Sequence, residues 1–513
     1  MSVAISSIGR MSAATGTPEI HAEGDAAAHP RRWVALAVIA ISQLMVVLDA
    51  TIVNIALPSA KADLGITDAD QQWVVTAYTL AFGGLLLLGG RIADFWGRKR
   101  TFLVGIVGFA VASAIGGAAQ TGELLFAARA LQGAFGALLA PAALALLTVL
   151  FVDAKERAKA FAVYGAIAGG GSAVGLILGG VLTEYFNWRW CLLVNIPIAL
   201  IALVAAIPLV PESKAQGDTR YDIPGAVVVT LGLTSLVYGF TKAATDGWDA
   251  AATLGFIGAG VVLLAIFVII ELRTAHPLLP MRIVLDRNRG GAYLTSLLIG
   301  AGLFGSFLFL TLYFQVVLGY KPLEAGLASL PVTGGVLIAA ATASQLMPRL
   351  GAKPLMIVGA VLAAAAMLLL TQIEVDSSFV ALLLPAQLLL GLGLGFVFVP
   401  LSSLALVGVP ERDAGAASAV LNATQQVGGS LGTALLNTFY TSAATAYLSA
   451  NLTPAAATDP AQAKGIQFAA LVHGYATAFA WGAALIVVAG VVTAVLVKVN
   501  RSDLPAADAV HVG

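Results

Sequence analysis

The chain has 513 residues, 59% of them apolar and only 11% charged, with a mean hydropathy of +0.93. Soluble domains carry roughly 25% charged residues, so the composition excludes an ordinary soluble protein and points to a polytopic membrane protein. Lys and Arg (27) balance Asp and Glu (27), which leaves no basic surplus for nucleic acid, and the single cysteine, Cys191, excludes an intrachain disulfide or a cysteine metal cluster.

A spanning helix needs about 20 mostly apolar residues. Fourteen such runs follow one another, near 33–58, 72–92, 101–120, 124–150, 159–184, 189–211, 223–242, 252–271, 290–318, 325–347, 353–372, 379–408, 413–445 and 468–498. Residues 1–32 are a polar, Ala/Ser-rich tail, expected to be disordered. The expected layout is six helices over 33–211, two inserted helices with their loops over 212–289, six more over 290–498, and a tail over 499–513. Most Lys and Arg lie in the tails and in the loops after even-numbered helices, which places both termini in the cytoplasm by the positive-inside rule. A faint repeat supports two matching halves. Leu64-Gly65 and Gly97 recur as Leu318-Gly319 and Gly351, Gly136 and Pro141 as Gly395 and Pro400, and Gly171 and Gly175 as Gly428 and Gly432. Repeats of this kind place a substrate site at the midplane between the halves.

Helix one contains LDATIVNIALP, where Asp49 is the only ionisable side chain between Trp33 and Ala60. A carboxylate at mid-membrane costs about 2.5–3.5 kcal/mol on insertion scales, so it needs partners or a task. Gln43 and Asn54 lie nearly on one face of that helix, and Asp49 points about 120–140° away from them.

Helix two ends in GGRIADFWGRKR. Gly90 is expected to allow a close helix approach and Asp94 to sit at a helix N-terminus, with Arg98 anchoring the basic side; a breakable gate contact and a purely topogenic loop both fit this spacing. In helix four, Arg129 shares a face with Gln132, Gly133 and Gly136, so it is expected to point into the bundle, either beside a functional carboxylate or in a permanent ion pair that fixes packing. Gly171, Gly175 and Gly179 in helix five form a small-xxx-small packing stripe. Helix thirteen carries Asn422, Gln426, Gly429, Thr433 and Asn437 about one turn apart, a stripe suited to a water-filled cavity or to interhelical hydrogen bonds. Glu123 and Glu184 lie near helix ends and are expected to be solvated. The five histidines, His21, His29, His276, His473 and His511, form no cluster, and Gly-Lys never occurs, so neither a metalloenzyme site nor a Walker A loop is present. No enzyme activity is expected.

GGRIADFWGRK resembles the loop signature of the major facilitator superfamily, and RALQG in helix four is similar to its second motif. LDATIVNIALP, QWVVTAYTL and NWRWCLLVNIP resemble the fourteen-helix drug:proton antiporter branch. The resemblance implies an all-α fold of two six-helix bundles plus two inserted helices, rocking about a central cavity. It implies that Asp49 couples to protonation with Arg129 as its electrostatic partner. It also implies a gate of Gly90, Asp94, Gly97 and Arg98 closing on Asp413. The cavity expected from the polar faces is lined by Gln43, Asn54, Gln132, Asn422, Gln426 and Thr433. Three positions depart from the pattern: Leu176 stands for a proline in helix five, Gln425 for a frequent arginine, and Pro348 where the first half has Asp94.

The function implied is proton-coupled export of lipophilic or cationic drugs from the cell membrane, by a monomer surrounded by membrane lipid, using the proton gradient and no cofactor. Export of an endogenous lipid, siderophore or metabolite, and uptake of a small nutrient, suit the same fold. A non-transporting sensor would be expected to carry a sizeable soluble domain, for which the sequence has no candidate.

Overall fold

In lipid every backbone polar group must be bonded within its own segment, so long apolar runs with few breakers become long helices. The computed structural model describes residues 31–151, 153–214, 222–275, 277–279, 281–409, 414–453, 456 and 458–499, and the regular structure among them is helical. The first half comprises α1 (Arg32–Leu64), α2 (Trp73–Trp96), α3 (Arg98–Gly117), α4 (Gly122–Leu150) and α5 (Ala154–Tyr185). A short turn, α6 (Trp190–Leu193), leads into α7 (Asn195–Leu209). Next come α8 (Ile223–Asp246) and α9 (Ala251–Arg273), packed on each other as a hairpin, and a short α10 (Met281–Val284). The second half starts with α11 (Arg287–Leu312), which ends in a π-helical stretch at Tyr313–Val317. It continues with α12 (Pro322–Ala328), α13 (Leu330–Leu350), α14 (Ala352–Leu370), α15 (Leu384–Leu406), α16 (Ala414–Asn451) and α17 (Pro460–Leu496).

Twelve of these segments are long and apolar enough to cross a membrane. Helices α5 and α16, with 32 and 38 residues, stand at the positions of the fifth and thirteenth expected spans. The chain is an all-α polytopic membrane protein.

The two halves repeat one packing scheme. Helix α1 packs on α5 as α11 does on α16, α2 on α4 as α13 on α15, and α3 on α4 as α14 on α15. The repeated glycines mark equivalent turns: Gly65 and Gly319 have φ of 65° and 69°, and Gly97 and Gly351 have φ of 129° and 83°. Residues with a Cβ rarely adopt such values, which is why the glycines persist where the rest of the repeat has faded. The α8/α9 hairpin lies beside the seam between the halves, with α8 against both α2 and α16. Gln72 Nε2 donates to Thr241 Oγ1 at 2.8 Å, and Thr438 Oγ1 donates to the Phe240 carbonyl at 2.8 Å.

Candidate functional site: a buried carboxylate and the seam between the bundles

Small residues set the distances in the first bundle. A Cβ on Gly133 would collide with the Tyr78 carbonyl, and one on Gly89 with the Ala137 carbonyl, so α2 and α4 meet backbone to backbone. That approach brings Arg129, one turn before Gly133, onto α2. Its Nε donates to the Val74 carbonyl at 2.9 Å, and its guanidinium carbon lies 4.4 Å from the Tyr78 ring centroid.

Helix α1 is held from its other side by the α5 glycine stripe. A Cβ on Gly179 would stand 2.9 Å from Ile52 Cγ1, one on Gly175 would strike Thr51 Oγ1, and one on Gly171 would lie 3.1 Å from Val47 Cγ1. The stripe is therefore a packing surface for α1, as the spacing predicts.

Asp49 then meets three donors. Its Oδ2 accepts from Arg129 Nη1 at 2.5 Å, and its Oδ1 accepts from Gln132 Nε2 at 2.9 Å and from Asn195 Nδ2 at 2.7 Å. Gln132 also accepts from Arg129 Nη1 at 2.8 Å and contacts Ser113 Oγ at 2.7 Å. Asp49 is 0% exposed and Arg129 1% exposed. A pair so buried survives only when charge and hydrogen-bonding capacity are both answered, and here four helices supply the answer. Asn195, at the start of α7, is the donor that side-chain periodicity does not reveal, although it lies within the NWRWCLLVNIP stretch. Asn195→Ala is expected to destabilise the protein by about 1.5–3 kcal/mol, the worth of a hydrogen bond to a charged group, measurable as a lowered unfolding midpoint in detergent.

Several expected site residues take other places. Gln132 faces no cavity; it is fully buried in the Asp49 cluster, because periodicity reports a helix face and not the neighbour across from it. Thr433 is likewise fully buried, in the region where α16 packs on Gly305 of α11. Gln43 and Asn54 are half-buried; Gln43 accepts from Tyr164 Oη at 2.6 Å, and Asn54 donates to the Ala50 carbonyl of its own helix at 3.3 Å. Asn422 is exposed, and Gln426 lies beside Gly83, whose Cβ would stand 2.9 Å from Gln426 Cβ.

At the basic end, the close approach expected at Gly90 occurs one residue earlier, at Gly89; a Cβ on Gly90 would meet only Pro141 at an ordinary 3.6 Å. Asp94 does not occupy a helix N-terminus. It sits in the last turn of α2 and accepts from Arg98 Nη2 at 2.9 Å across Gly97. The carboxylate at the start of α3 is Glu212, which accepts from the Lys99 backbone N–H at 3.2 Å. Asp413, the expected gate partner, lies outside the described residues.

The bundles meet at the end opposite the basic loops. Gln71 Nε2 donates to Asn437 Oδ1 at 3.4 Å, and Asn437 Nδ2 donates to the Asp68 and Ala69 carbonyls at 3.2 and 3.1 Å. Gln315 Nε2 donates to the Ile55 carbonyl at 2.9 Å, and nearer the midplane Thr79 and Ser430 hydroxyls are 2.7 Å apart. Glu184, expected in solvent, accepts from the Leu323 backbone N–H at 3.2 Å, tying α5 to α12. Around it, a Cβ on Gly180 would stand 2.5 Å from Leu323 Cα, and one on Gly326 would collide with the Leu176 carbonyl.

This arrangement agrees with what the chain resembles as a whole. It matches the Major Facilitator Superfamily over residues 39–433. It is 50% identical to puromycin resistance protein pur8 of Streptomyces alboniger, over 91% of this chain and 92% of that one. It is 40% identical to cephamycin export protein CmcT of Amycolatopsis lactamdurans, over 79% and 84% respectively. Its fold is similar to that of a bacterial homologue of the human lysosomal transporter Spinster, with a TM-score of 0.62, 14% identity, and coverage of 94% of this chain and 99% of that one. With two repeated bundles, a charge pair buried in one of them and this similarity along nearly its full length, the chain belongs to the Major Facilitator Superfamily of membrane transporters.

Proposed function

We propose that the protein exports lipophilic or cationic drugs and antibiotics from the cell in exchange for protons. Its two six-helix bundles would alternate access across the cell membrane, with fourteen spans and both termini cytoplasmic. It would act as a monomer driven by the proton gradient, without a cofactor. The observation that carries this reading is the Asp49–Arg129 pair, an ionisable couple sealed inside a bundle whose relatives are named for resistance to puromycin and export of cephamycin.

The pair is positioned to act on the seam. Arg129 holds the Val74 carbonyl of α2, and the same helix reaches the second bundle through the Thr79–Ser430 contact just over a turn farther on. When Asp49 takes up a proton, Arg129 loses its counter-charge, while its bonds to the Val74 carbonyl and Gln132 Oε1 and its contact with the Tyr78 ring remain. The packing of α1, α2 and α4 is then biased toward a second arrangement. Substrate binding between the bundles biases the same two-state equilibrium, and reciprocity makes each ligand change the affinity for the other. The contacts between the bundles at the end away from the basic loops support reading this arrangement as the state closed at that end. In this reading Gln43, Asn54, Asn422 and Gln426 face the solute path, while Gln132 and Thr433 support it from behind. Asp94, Gly97 and Arg98 hold the basic-end loop that meets Asp413 in the other state.

The test is purified protein in liposomes with an imposed pH gradient and a panel of cationic, neutral and anionic solutes. Cation movement is expected to follow the gradient and to collapse with it. Movement indifferent to the gradient rejects proton-driven exchange.

A further inference from the structure

The inserted hairpin brings together two carboxyl groups that the Asp49 site does not use. Asp222, 5% exposed, caps α8, with Oδ1 accepting from the Gly225 backbone N–H at 2.8 Å. Glu271, 3% exposed, lies in the last turn of α9, with Oε2 accepting from the Leu279 backbone N–H at 2.9 Å. Their other oxygens, Asp222 Oδ2 and Glu271 Oε1, are buried without a hydrogen-bond partner among the described residues. They close over Gly225, where a Cβ would stand 2.6 Å from Asp222 Oδ2 and 3.0 Å from Glu271 Oε1.

Ionised carboxyl oxygens only accept hydrogen bonds. Two facing acceptors with no donor, both out of water and both charged, repel each other and forfeit their hydration. A single hydrogen between them removes one charge and turns one acceptor into a donor, the arrangement by which paired buried carboxyls titrate as a unit. We propose that Asp222 and Glu271 hold one proton between them, forming an additional proton-binding site that clasps the start of α8, the end of α9 and the segment around Leu279.

Among the described residues, the charges on α2 and near the end of α9 are engaged elsewhere or turned outward. On α2, which packs against α8, Arg91 lies over the Phe95 ring at 5.4 Å and Asp94 is paired with Arg98. On α9, Arg273 is exposed. Arg220, His276, Arg412 and Asp413, near these elements in sequence, lie outside the described residues. The proposal is independent of the role given to Asp49, and Gly225 is its steric condition: any side chain there would push the two carboxyls apart.

The test is the unfolding midpoint of the purified full-length protein in detergent from about pH 6 to about pH 9, with infrared spectra of the carbonyl band of protonated carboxyl groups. Removing the shared proton leaves two facing carboxylates, so the wild-type midpoint is expected to fall as pH rises. Glu271→Gln and Asp222→Asn each supply a permanent amide donor, so either is expected to flatten that fall and to remove one protonated-carboxyl band. His276→Ala is expected to keep both the fall and the band. A wild-type midpoint that is flat with pH, a band untouched by both amide variants, or a pH response abolished by His276→Ala would overturn the proposal. So would a midpoint set by added sodium, potassium or calcium and not by pH, which would make the pair a metal-cation site.

Discussion

Replacing Arg129 by Ala is expected to cost the folded protein about 3–5 kcal/mol and all of its transport. Removing one member of a buried pair leaves the other charged and unanswered in a low-dielectric interior. Asp49 would keep Gln132 and Asn195 as donors, but neither carries a charge. The double replacement Asp49→Asn with Arg129→Gln removes both charges together, and is expected to recover most of the lost stability and none of the gradient-driven transport. Chemical unfolding in detergent gives the stabilities and liposome flux gives the transport; wild type, the single variants Asp49→Asn and Arg129→Gln, and this double variant form a cycle that separates packing from coupling. A double variant that exports at the wild-type rate would reduce the pair to a fastener.

The second large effect is expected at the seam. Gly180 and Gly326 allow α5 and α12 to touch backbone to backbone across the two bundles. A valine at Gly326 would drive its Cβ into the Leu176 carbonyl, while the interior of each bundle is untouched. Overpacking of this kind costs about 1–3 kcal/mol, paid only in the state where the seam is closed. The population is then expected to move about 5–150-fold toward the state open at that end. Distance measurements between spin labels at Asn187 and Lys321, both exposed at that end, should show a longer separation in Gly326→Val and Gly180→Val than in wild type. Unchanged distances in both variants would mean that this contact does not close the transporter.

How far the sequence leads can be seen residue by residue. The spans were legible because hydrophobic length is a property of the chain alone. The repeat was legible at glycines whose backbone angles exclude other residues, as at Gly97 and Gly351. Asp49 stood out by isolation, and the burial of Arg129 followed from the small and polar residues on its face. What periodicity could not give was the partner. Gln132 lies on the expected face of α4, but its target, Asp49, is 83 positions away, and Asn195 reaches the same carboxylate from 146 positions away. Asp94 was displaced by helix boundaries: α2 runs on to Trp96, so the carboxylate ends a helix instead of starting one. Glu184 lies near a helix end, where solvent is the default, and only the fold shows α12 arriving beside it.

In the proposed mechanism, Asp49 exchanges its proton as substrate binds. This exchange is tested most directly by adding a transported cation to purified protein in weakly buffered detergent solution and following pH with an indicator dye. Wild type should release protons as the cation saturates its site, and Asp49→Asn should bind the cation with no release. Proton release from Asp49→Asn equal to that of wild type would contradict the account and move the coupling site elsewhere in the protein.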